Sequence, residues 1–201
     1  MPLHRDELLS RQQSIIHPSL AEMNVLIAGC GMSGGWAAHA LARAVGHLIL
    51  YDGNDKVEAA NCGNQPFSEF DIGTTKGAAL ARSLHGMSVD SRAHNFPTLL
   101  TGTRHWAIEG THPDIVVSCV DSFKWKNAIT RWCMDNGTPM LETRAQGETA
   151  ALCFVPVERL DEHLQALPLD EDIESVPCGA TGGAFTGMWI GSQVVAWLNN
   201  W

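Results

Sequence analysis

Short apolar runs alternate along this chain with stretches whose apolar residues recur at helical spacing. Residues 24–29, 47–52 and 114–121 are almost continuously apolar, as is typical of strands buried in a parallel sheet. Residues 33–45 and 74–87 have the composition and periodicity of helices. Strands that alternate with helices predict an α/β fold of the Rossmann-like, doubly wound type, with a mostly parallel sheet.

The remaining segments extend this alternation to both ends of the chain. Residues 6–16 predict an N-terminal helical segment that ends before Pro18. Residues 53–73 predict a long functional loop, and the acidic, proline-interrupted residues 157–177 predict an exposed crossover loop. The other predicted elements are a weak strand at 92–97, a helix at 122–137, strands at 138–143 and 148–157, and a last buried helix at 181–201. Because no linker or repeat interrupts the pattern, residues 1–201 are expected to form a single domain.

Composition narrows the class of protein. The chain has 201 residues, of which 45% are hydrophobic, so a disordered chain is excluded. The formal net charge of −9 argues against nucleic acid and anionic membrane surfaces as partners. The charged N-terminus does not resemble a signal peptide, and the apolar stretch at 180–198 is interrupted by polar residues. We therefore expect a cytoplasmic protein.

The six cysteines do not form a metal-binding pattern. No C-x-x-C pair occurs among them, so we expect no structural zinc and predict reduced thiols. Cys30, Cys119 and Cys153 are interpreted as core residues. Cys178 follows the acidic crossover and precedes a predicted helix start, where a thiolate is favoured. It is either a nucleophile or an inert packing residue.

A glycine-rich turn joins the first predicted strand to the first predicted helix. The segment 29–34 reads G-C-G-M-S-G. In such a G-x-G-x-x-G turn Gly29 allows the tight bend, Gly31 lets phosphates approach the backbone, and Gly34 allows close helix–strand packing. Asp52 ends the next strand, where a carboxylate can bind ribose hydroxyls. The turn predicts nucleotide binding, but by itself it does not separate NAD from ATP, and a turn that binds nothing is the alternative.

A set of separated polar residues accompanies the glycine turn in a fixed order. They are Arg11 before the turn and, after it, Asp52, Asp55, Val57, Glu58, Asn61, Gln65, Asp71, Ile72, Gly73, Lys76, Asp121 and Ser122. In this order the chain resembles the ThiF/MoeB/HesA family, relatives of the ubiquitin-activating enzymes. The resemblance spans residues 8–155, with a weaker match in the last helix.

The resemblance implies adenylation of a C-terminal carboxylate by ATP and Mg²⁺. The acyl partner would be a small ubiquitin-like or sulfur-carrier protein, or a peptide, and the enzyme would be a homodimer. Two anions meet in this reaction, so cations and hydrogen-bond donors are required. The residues implied to hold the nucleotide are Gly29, Gly31, Gly34, Asp52, Asp55, Gln65 and Ser122. Those implied to act on the phosphates are Arg11, supplied by the other subunit, together with Asn61, Lys76 and the Mg²⁺ ligand Asp121.

Each of these assignments has an ordinary structural alternative. Lys76 can be a solvated helix residue, and Arg11 a surface residue of an N-terminal helix. Asn61 can be a turn former. Asp121 can be the N-cap of the helix that follows it, a role that is compatible with metal binding.

One departure from the family pattern bears on activity. Family members carry an arginine before the glutamine, where this chain has Asn64. Asparagine is shorter and uncharged, so a charged bidentate contact to phosphate is lost. Either another cation replaces it, with Arg144 and Lys124 as the candidates, or the protein is a slow or degenerate activator.

The last predicted helix carries glycines at every fourth position, Gly183, Gly187 and Gly191. They lie on one face of the helix and predict close packing of that helix on the sheet, with a dimer contact as the alternative. Trp189 and Trp201 add apolar surface near the C-terminus, which can serve a partner or subunit contact.

The sequence is compatible with two alternative functions. A nicotinamide-dependent oxidoreductase would explain the segment from Gly29 to Asp52, but not Asn61, Lys76 or Asp121. A nucleotide-dependent binding module without turnover is compatible with all of these residues.

Overall fold

The regular elements alternate as strands and helices in the computed structural model, which describes residues 10–12, 14–85, 87, 90–95, 112–168 and 182–201. Its strands are Asn24–Ala28 (β1), His47–Asp52 (β2), Asp90–Asn95 (β3), Ile115–Ser118 (β4), Met140–Gln146 (β5) and Thr149–Val155 (β6). Its helices are Pro18–Glu22 (α1), Met32–Leu41 (α2), Lys76–Leu84 (α3), Phe123–Asn136 (α4), Leu160–Ala166 (α5) and Ala184–Asn199 (α6).

The strands form a six-stranded sheet with the order β3-β2-β1-β4-β5-β6. All neighbours pair in parallel except β5 and β6, which pair antiparallel. Ala28 at the end of β1 pairs with Tyr51 on one side and with Ser118 on the other. The strand order reverses between β1 and β4, which opens a crevice at their carboxyl ends. The predicted Rossmann-like α/β fold is confirmed.

Helices cover both faces of the sheet and build one core layer on each. The layer under α2, α3 and α6 contains Val25, Ile27, Leu41, Leu48, Leu50, Leu80, Leu84, Ile190 and Val194. The layer under α4 and α5 contains Leu26, Ile49, Val116, Ile129, Trp132, Met140 and Leu160. Burial of each such leucine or isoleucine side chain contributes about 1.5–3 kcal/mol. The near-continuous apolar strands of the sequence are explained by this burial on both faces.

The glycines of the last helix pack against another helix and not against the sheet. A Cβ at Gly191 would lie 2.6 Å from the backbone oxygen of Trp36, and one at Gly187 would lie 2.3 Å from the Trp36 ring. A Cβ at Gly183 would instead meet Phe185 of its own helix. The prediction that these glycines place the helix on the sheet is therefore wrong, because two of them admit the backbone and indole of α2.

The crossover segment and the last helix also differ from their predictions. The predicted exposed crossover begins with a 3₁₀ turn, Val157–Arg159, followed by α5, and Leu160 and Leu167 are buried. The last helix is buried on one face only, since Phe185, Met188 and Trp189 are exposed. Leu160 and the buried face of α6 pack by tertiary contacts that the local composition does not reveal.

The N-terminal segment also departs from its prediction. Of residues 6–16, only 10–12 and 14–16 are described, and they form turns in which Ile16 N–H donates to the Gln12 carbonyl. A short helix that the sequence analysis missed starts at Pro18, where the fixed φ of proline suits a first helical position. None of the described helices is both long enough and apolar enough to span a membrane.

Candidate nucleotide-binding site

The glycine turn lies at the carboxyl end of β1, in the crevice of the sheet. Gly29 has a φ of +93°, which favours glycine, and a Cβ there would lie 2.9 Å from the carbonyl oxygen of Cys119. A Cβ at Gly34 would lie 1.8 Å from the carbonyl oxygen of Gly29. Gly31 precedes α2 as its N-cap residue, and the nearest atom to a Cβ there is Gln65 Oε1 at 4.0 Å. Two of the glycines are therefore required by packing, whereas Gly31 borders open space.

Asp52 lies at the end of β2, next to this turn. Its Oδ1 accepts a hydrogen bond of 3.0 Å from the Gly53 N–H. Burial raises the pKa of Asp52 to about 6, and the charge of Asp55 adds to this, whereas the charge of Lys76 lowers it. The carboxylate is thus largely ionised at neutral pH, at a cost in desolvation that a bound hydrogen-bond donor would offset.

Buried acceptors without donors mark the pocket beside the turn. Asp52 Oδ2 and Gln65 Oε1 are buried and have no hydrogen-bond partner of ordinary geometry among the described residues, although the Cys30 backbone N–H is near enough to lower the pKa of Asp52. A buried acceptor that stays unpaired costs about 1–3 kcal/mol, so such groups generally have a partner. Hydroxyl and amino groups of a nucleoside are donors that match them. We call Gly31, Asp52, Gln65 and Lys76 the glycine-turn pocket.

Lys76 is the cation of this pocket. It is the first residue of α3, and its backbone N–H donates to the Asp55 carbonyl at 2.8 Å. Its Nζ lies 3.5 Å from Asp55 Oδ2, and its side chain is only 16% exposed. Its charge lowers the pKa of Asp52 and opposes the burial that raises the pKa of the Cys30 thiol. The Lys76 ammonium is therefore paired with Asp55 and is near enough to Asp52 and Cys30 for its charge to act on both.

Asn61 and Gln65 are held by one short 3₁₀ helix, Ala59–Gly63. The Glu58 N–H donates to Asn61 Oδ1 at 2.9 Å, and the Gln65 N–H donates to the Asn61 carbonyl at 2.8 Å. The turn-forming role of Asn61 is thus present, and it occupies the side-chain oxygen. The amide NH₂ of Asn61 remains as a donor, so the turn role and a phosphate contact are compatible.

Asp121 and Ser122 follow β4 at the same edge of the sheet. The Cys119 N–H donates to the Ala28 carbonyl at 2.7 Å, which places this loop against the glycine turn. Ser122 is the N-cap of α4, and its hydroxyl accepts from the Trp125 N–H at 3.5 Å. The alternative that Asp121 caps this helix is therefore wrong.

The side chain of Asp121 is exposed at the mouth of the crevice. No group of three or more histidine, cysteine, aspartate or glutamate side chains that could hold a metal occurs among the described residues. An Mg²⁺ ion held by one or two carboxylates takes its other oxygens from substrate phosphates and water. Asp121 fits that role but does not form a metal site alone.

Other candidates lie apart from this pocket or outside the described residues. Arg11 is exposed in the N-terminal turn, and Cys178 lies outside the described residues. Burial raises the pKa of the Cys30 thiol well above its ordinary value and that of Cys119 to about 11, in line with core thiols. Cys153 is exposed on β6, so its assignment to the core is wrong, because alternate residues of this edge strand face outward.

Asn64, which stands where the family pattern has arginine, points into the fold. Its Nδ2 donates to the Gly182 carbonyl at 3.4 Å, and its own carbonyl accepts from Trp36 Nε1 at 3.1 Å. Gly182 in turn packs against the Gly147 carbonyl at the tip of the β5–β6 hairpin. Asn64 thus joins the loop after β2 to the start of α6 and supplies no charge to the pocket.

The sequence analysis missed a buried charge cluster near the crevice. Glu142 is fully buried, and its Oε1 accepts hydrogen bonds from Lys126 Nζ at 2.8 Å and Arg144 Nε at 2.5 Å. Its Oε2 lies 2.8 Å from His163 Nε2. Burial raises the pKa of Glu142, but the bonds from Arg144 and Lys126 outweigh it and lower the pKa below its ordinary value. We call Glu142, Lys126, Arg144 and His163 the Glu142 cluster.

The chain is similar to known proteins over most of its length. The model of the ThiF family matches residues 12–197. "Ubiquitin-like modifier-activating enzyme 5" of Drosophila virilis is 34% identical over 201 residues, which is 87% of this chain and 50% of that protein. The protein of the same name from Dictyostelium discoideum is 30% identical over 139 residues, 63% of this chain and 36% of that protein. The chain thus spans about half the length, or less, of these curated relatives.

Solved structures show the same fold. E. coli MccB with ATP superposes with a TM-score of 0.68 at 21% identity, covering 91% of this chain and 56% of MccB. E. coli tRNA N6-threonylcarbamoyladenosine dehydratase, TcdA, superposes with a TM-score of 0.72 at 19% identity, covering 98% of this chain and 93% of TcdA.

Proposed function

Since the chain belongs to the ThiF family, we propose that it catalyses ATP-dependent adenylation of a C-terminal carboxylate. The carboxylate belongs to a ubiquitin-like or sulfur-carrier protein, or to a peptide, and the reaction releases pyrophosphate. Its relatives are named ubiquitin-like modifier-activating enzymes, and MccB has been solved with ATP and, separately, with an ATP analogue and MccA. These names support a small protein or peptide as the acyl partner.

The observation that carries the proposal is that the polar groups of the glycine-turn pocket lie together. Unpaired acceptors on Asp52 and Gln65, the open space at Gly31 and the charge of Lys76 lie at one edge of the sheet. Acceptors suit the donors of a nucleoside, and the free N–H groups at the start of α2 together with a lysine suit phosphates. A site for NAD chemistry would give Lys76 no role beyond its pairing with Asp55.

The proposed reaction joins two anions. A carboxylate oxygen attacks the α-phosphorus of ATP, the bond to the bridging oxygen of the β-phosphate breaks, and that oxygen leaves with pyrophosphate. Lys76 offsets the charge on the phosphates, and Asn61 donates a hydrogen bond to them without adding charge. Asp121 would hold Mg²⁺, which supplies further charge neutralisation. Arg11, contributed by the partner of a homodimer, would act as an arginine finger.

A binding module without turnover is the second candidate, and Asn64 favours it. The Asn64 amide is bonded to the Gly182 carbonyl, so no charge from this position reaches the pocket. Loss of one preorganised donor can reduce the rate by about 10²–10³-fold. A module of this kind binds ATP and never exchanges pyrophosphate into it.

Pyrophosphate exchange separates the two candidates. Labelled pyrophosphate is incubated with ATP, Mg²⁺ and a panel of carrier proteins and peptides that end in Gly-Gly, and we expect exchange that depends on one of them. Lys76→Ala should reduce the exchange rate by about 10²–10³-fold. Replacement of Lys56, an exposed lysine in the loop between β2 and α3, by alanine (Lys56→Ala) should leave the rate unchanged. Calorimetric binding of NADH without binding of ATP would contradict the proposal.

A further inference from the structure

Arg144 is the half-exposed member of the Glu142 cluster. Its Nε donates to the buried Glu142 carboxylate at 2.5 Å, while its side chain is 51% exposed. Its guanidinium carbon lies 6.0 Å from the centroid of the Phe123 ring. No described residue accepts a hydrogen bond from its two terminal nitrogens. Glu142 and Phe123 therefore fix the position of the guanidinium, and its outer donors stay available.

Arg144 lies at the same edge of the sheet as Asp121. Ser118, the last residue of β4, pairs with Glu142 on β5, and beyond this pair β5 and the loop after β4 both run toward the crevice. Arg144 follows Glu142 by two residues, and Asp121 follows Ser118 by three. Phe123, which contacts Arg144, is the first residue of α4 and comes directly after Ser122. The guanidinium thus lies beside the loop that holds Asp121.

The charge of Arg144 is not needed to neutralise Glu142. Lys126 already bonds the same carboxylate at 2.8 Å, and its side chain is 5% exposed. His163 bonds the second oxygen. Lys126 and Arg144 therefore surround one carboxylate, in a chain whose formal net charge is −9. A guanidinium with free donors at a solvent-accessible edge is suited to an anion.

We propose that Arg144 is a phosphate-binding residue, which contacts anionic oxygens of bound ATP. The inference rests on the proposed function, since it places the triphosphate along the edge from Gly31 to Asp121. A guanidinium held through Nε presents its remaining N–H groups to phosphate oxygens, a geometry that a lysine ammonium does not reproduce. Glu142 is the positioning residue, and Asn64 needs no charge because Arg144 supplies it.

Calorimetry with two ligands tests the assignment. ATP and adenosine are titrated separately into the wild-type chain and into Arg144→Gln. Because a hydrogen bond to a charged group is worth about 1.5–3 kcal/mol, the Kd for ATP should rise by about 10-fold or more. The Kd for adenosine should stay unchanged. The matched control is Arg159→Gln, an arginine that is 64% exposed and paired with Glu162, which should alter neither value.

Each other outcome has a defined meaning. An unchanged Kd for ATP in Arg144→Gln overturns the inference, and so does an equal loss of ATP and adenosine binding, which would reflect a disturbed pocket. Arg144→Lys keeps the charge and serves if the glutamine variant does not fold. Its ATP affinity should fall by a few-fold, and wild-type affinity would overturn the inference. Absence of ATP binding by the wild-type chain would instead refute the proposed function.

Discussion

The glycine-turn pocket and the Glu142 cluster are two buried polar regions at the same sheet edge, and they differ in how their polar atoms are satisfied. In the pocket, Asp52 Oδ2 and Gln65 Oε1 are buried without a hydrogen-bond partner of ordinary geometry among the described residues. In the cluster, both oxygens of Glu142 have partners within 2.8 Å. Unpaired buried acceptors indicate that a ligand completes the pocket, whereas a satisfied carboxylate stabilises the fold and orients its neighbours.

The largest expected effect comes from breaking the cluster. Glu142→Ala leaves Lys126 buried without its carboxylate, and removal of one partner of a buried ion pair costs about 3–5 kcal/mol. The free energy of unfolding, measured by urea denaturation, should fall by that amount. The double variant Glu142→Leu with Lys126→Met should recover most of the loss, because both charges are then absent. A loss below about 1 kcal/mol in the single variant would show that Lys126 finds water or another partner.

A smaller effect, on binding and not on stability, is expected in the pocket. Asp52→Asn keeps the size of the side chain but replaces one acceptor by a donor, so it no longer matches the hydroxyl donors of a nucleoside. The Kd for adenosine, measured by calorimetry, should rise by about 10-fold, while urea stability is retained. Asp135→Asn, an exposed residue of α4, is the control and should leave the Kd unchanged. Equal losses of stability in the Asp52 and Glu142 variants would remove the distinction between the two regions.

The last expected effect is a loss of stability as the pH rises, which the pocket shows and the Glu142 cluster, whose carboxyl has a lowered pKa, does not. Asp52 has a pKa raised by burial from 3.8 to about 6, so the folded state favours its protonated form. Its contribution to stability is therefore complete below pH 3.8 and is lost as the pH rises through about 6. Compared with Asp52→Asn, the wild-type chain should lose stability between about pH 4 and 7, as followed by urea midpoints. If the urea midpoints of the wild-type chain and of Asp52→Asn changed equally with pH, Asp52 would not be the group that titrates.

Local patterns predicted the strands and the helix around the glycine turn well. The turn from Gly29 to Gly34 and Asp52 at the end of the next strand were placed from spacing alone, because strand, turn and helix follow one another directly in the chain. The helix predicted at residues 74–87 is also present, but it is shorter and runs from Lys76 to Leu84. The roles of Asn61, Lys76 and Asp121 in chemistry, and those of Arg11 and Cys178, stay predictions.

Most of the features that the sequence analysis missed depend on contacts between residues that are far apart in the chain. The Asn64 amide meets the Gly182 carbonyl across 118 positions of the chain. His163 reaches Glu142 from a segment whose acidic composition indicated an exposed loop. One signal was available: Glu142 and Arg144 are two apart in a strand, so they share a face and can pair. The lysine and histidine that complete the cluster come from other elements, which no local pattern specifies.

Gly187 and Gly191 bring the backbone of α6 into contact with Trp36. Trp36 belongs to the helix that begins just after Gly31, and its indole is also bonded to the Asn64 carbonyl. Because neither glycine has a side chain to separate the two helices, the C-terminal helix cannot shift without displacing the helix that begins just after Gly31. A displacement of α6 would therefore be transmitted to the glycine turn, although α6 itself contributes no residue to that turn.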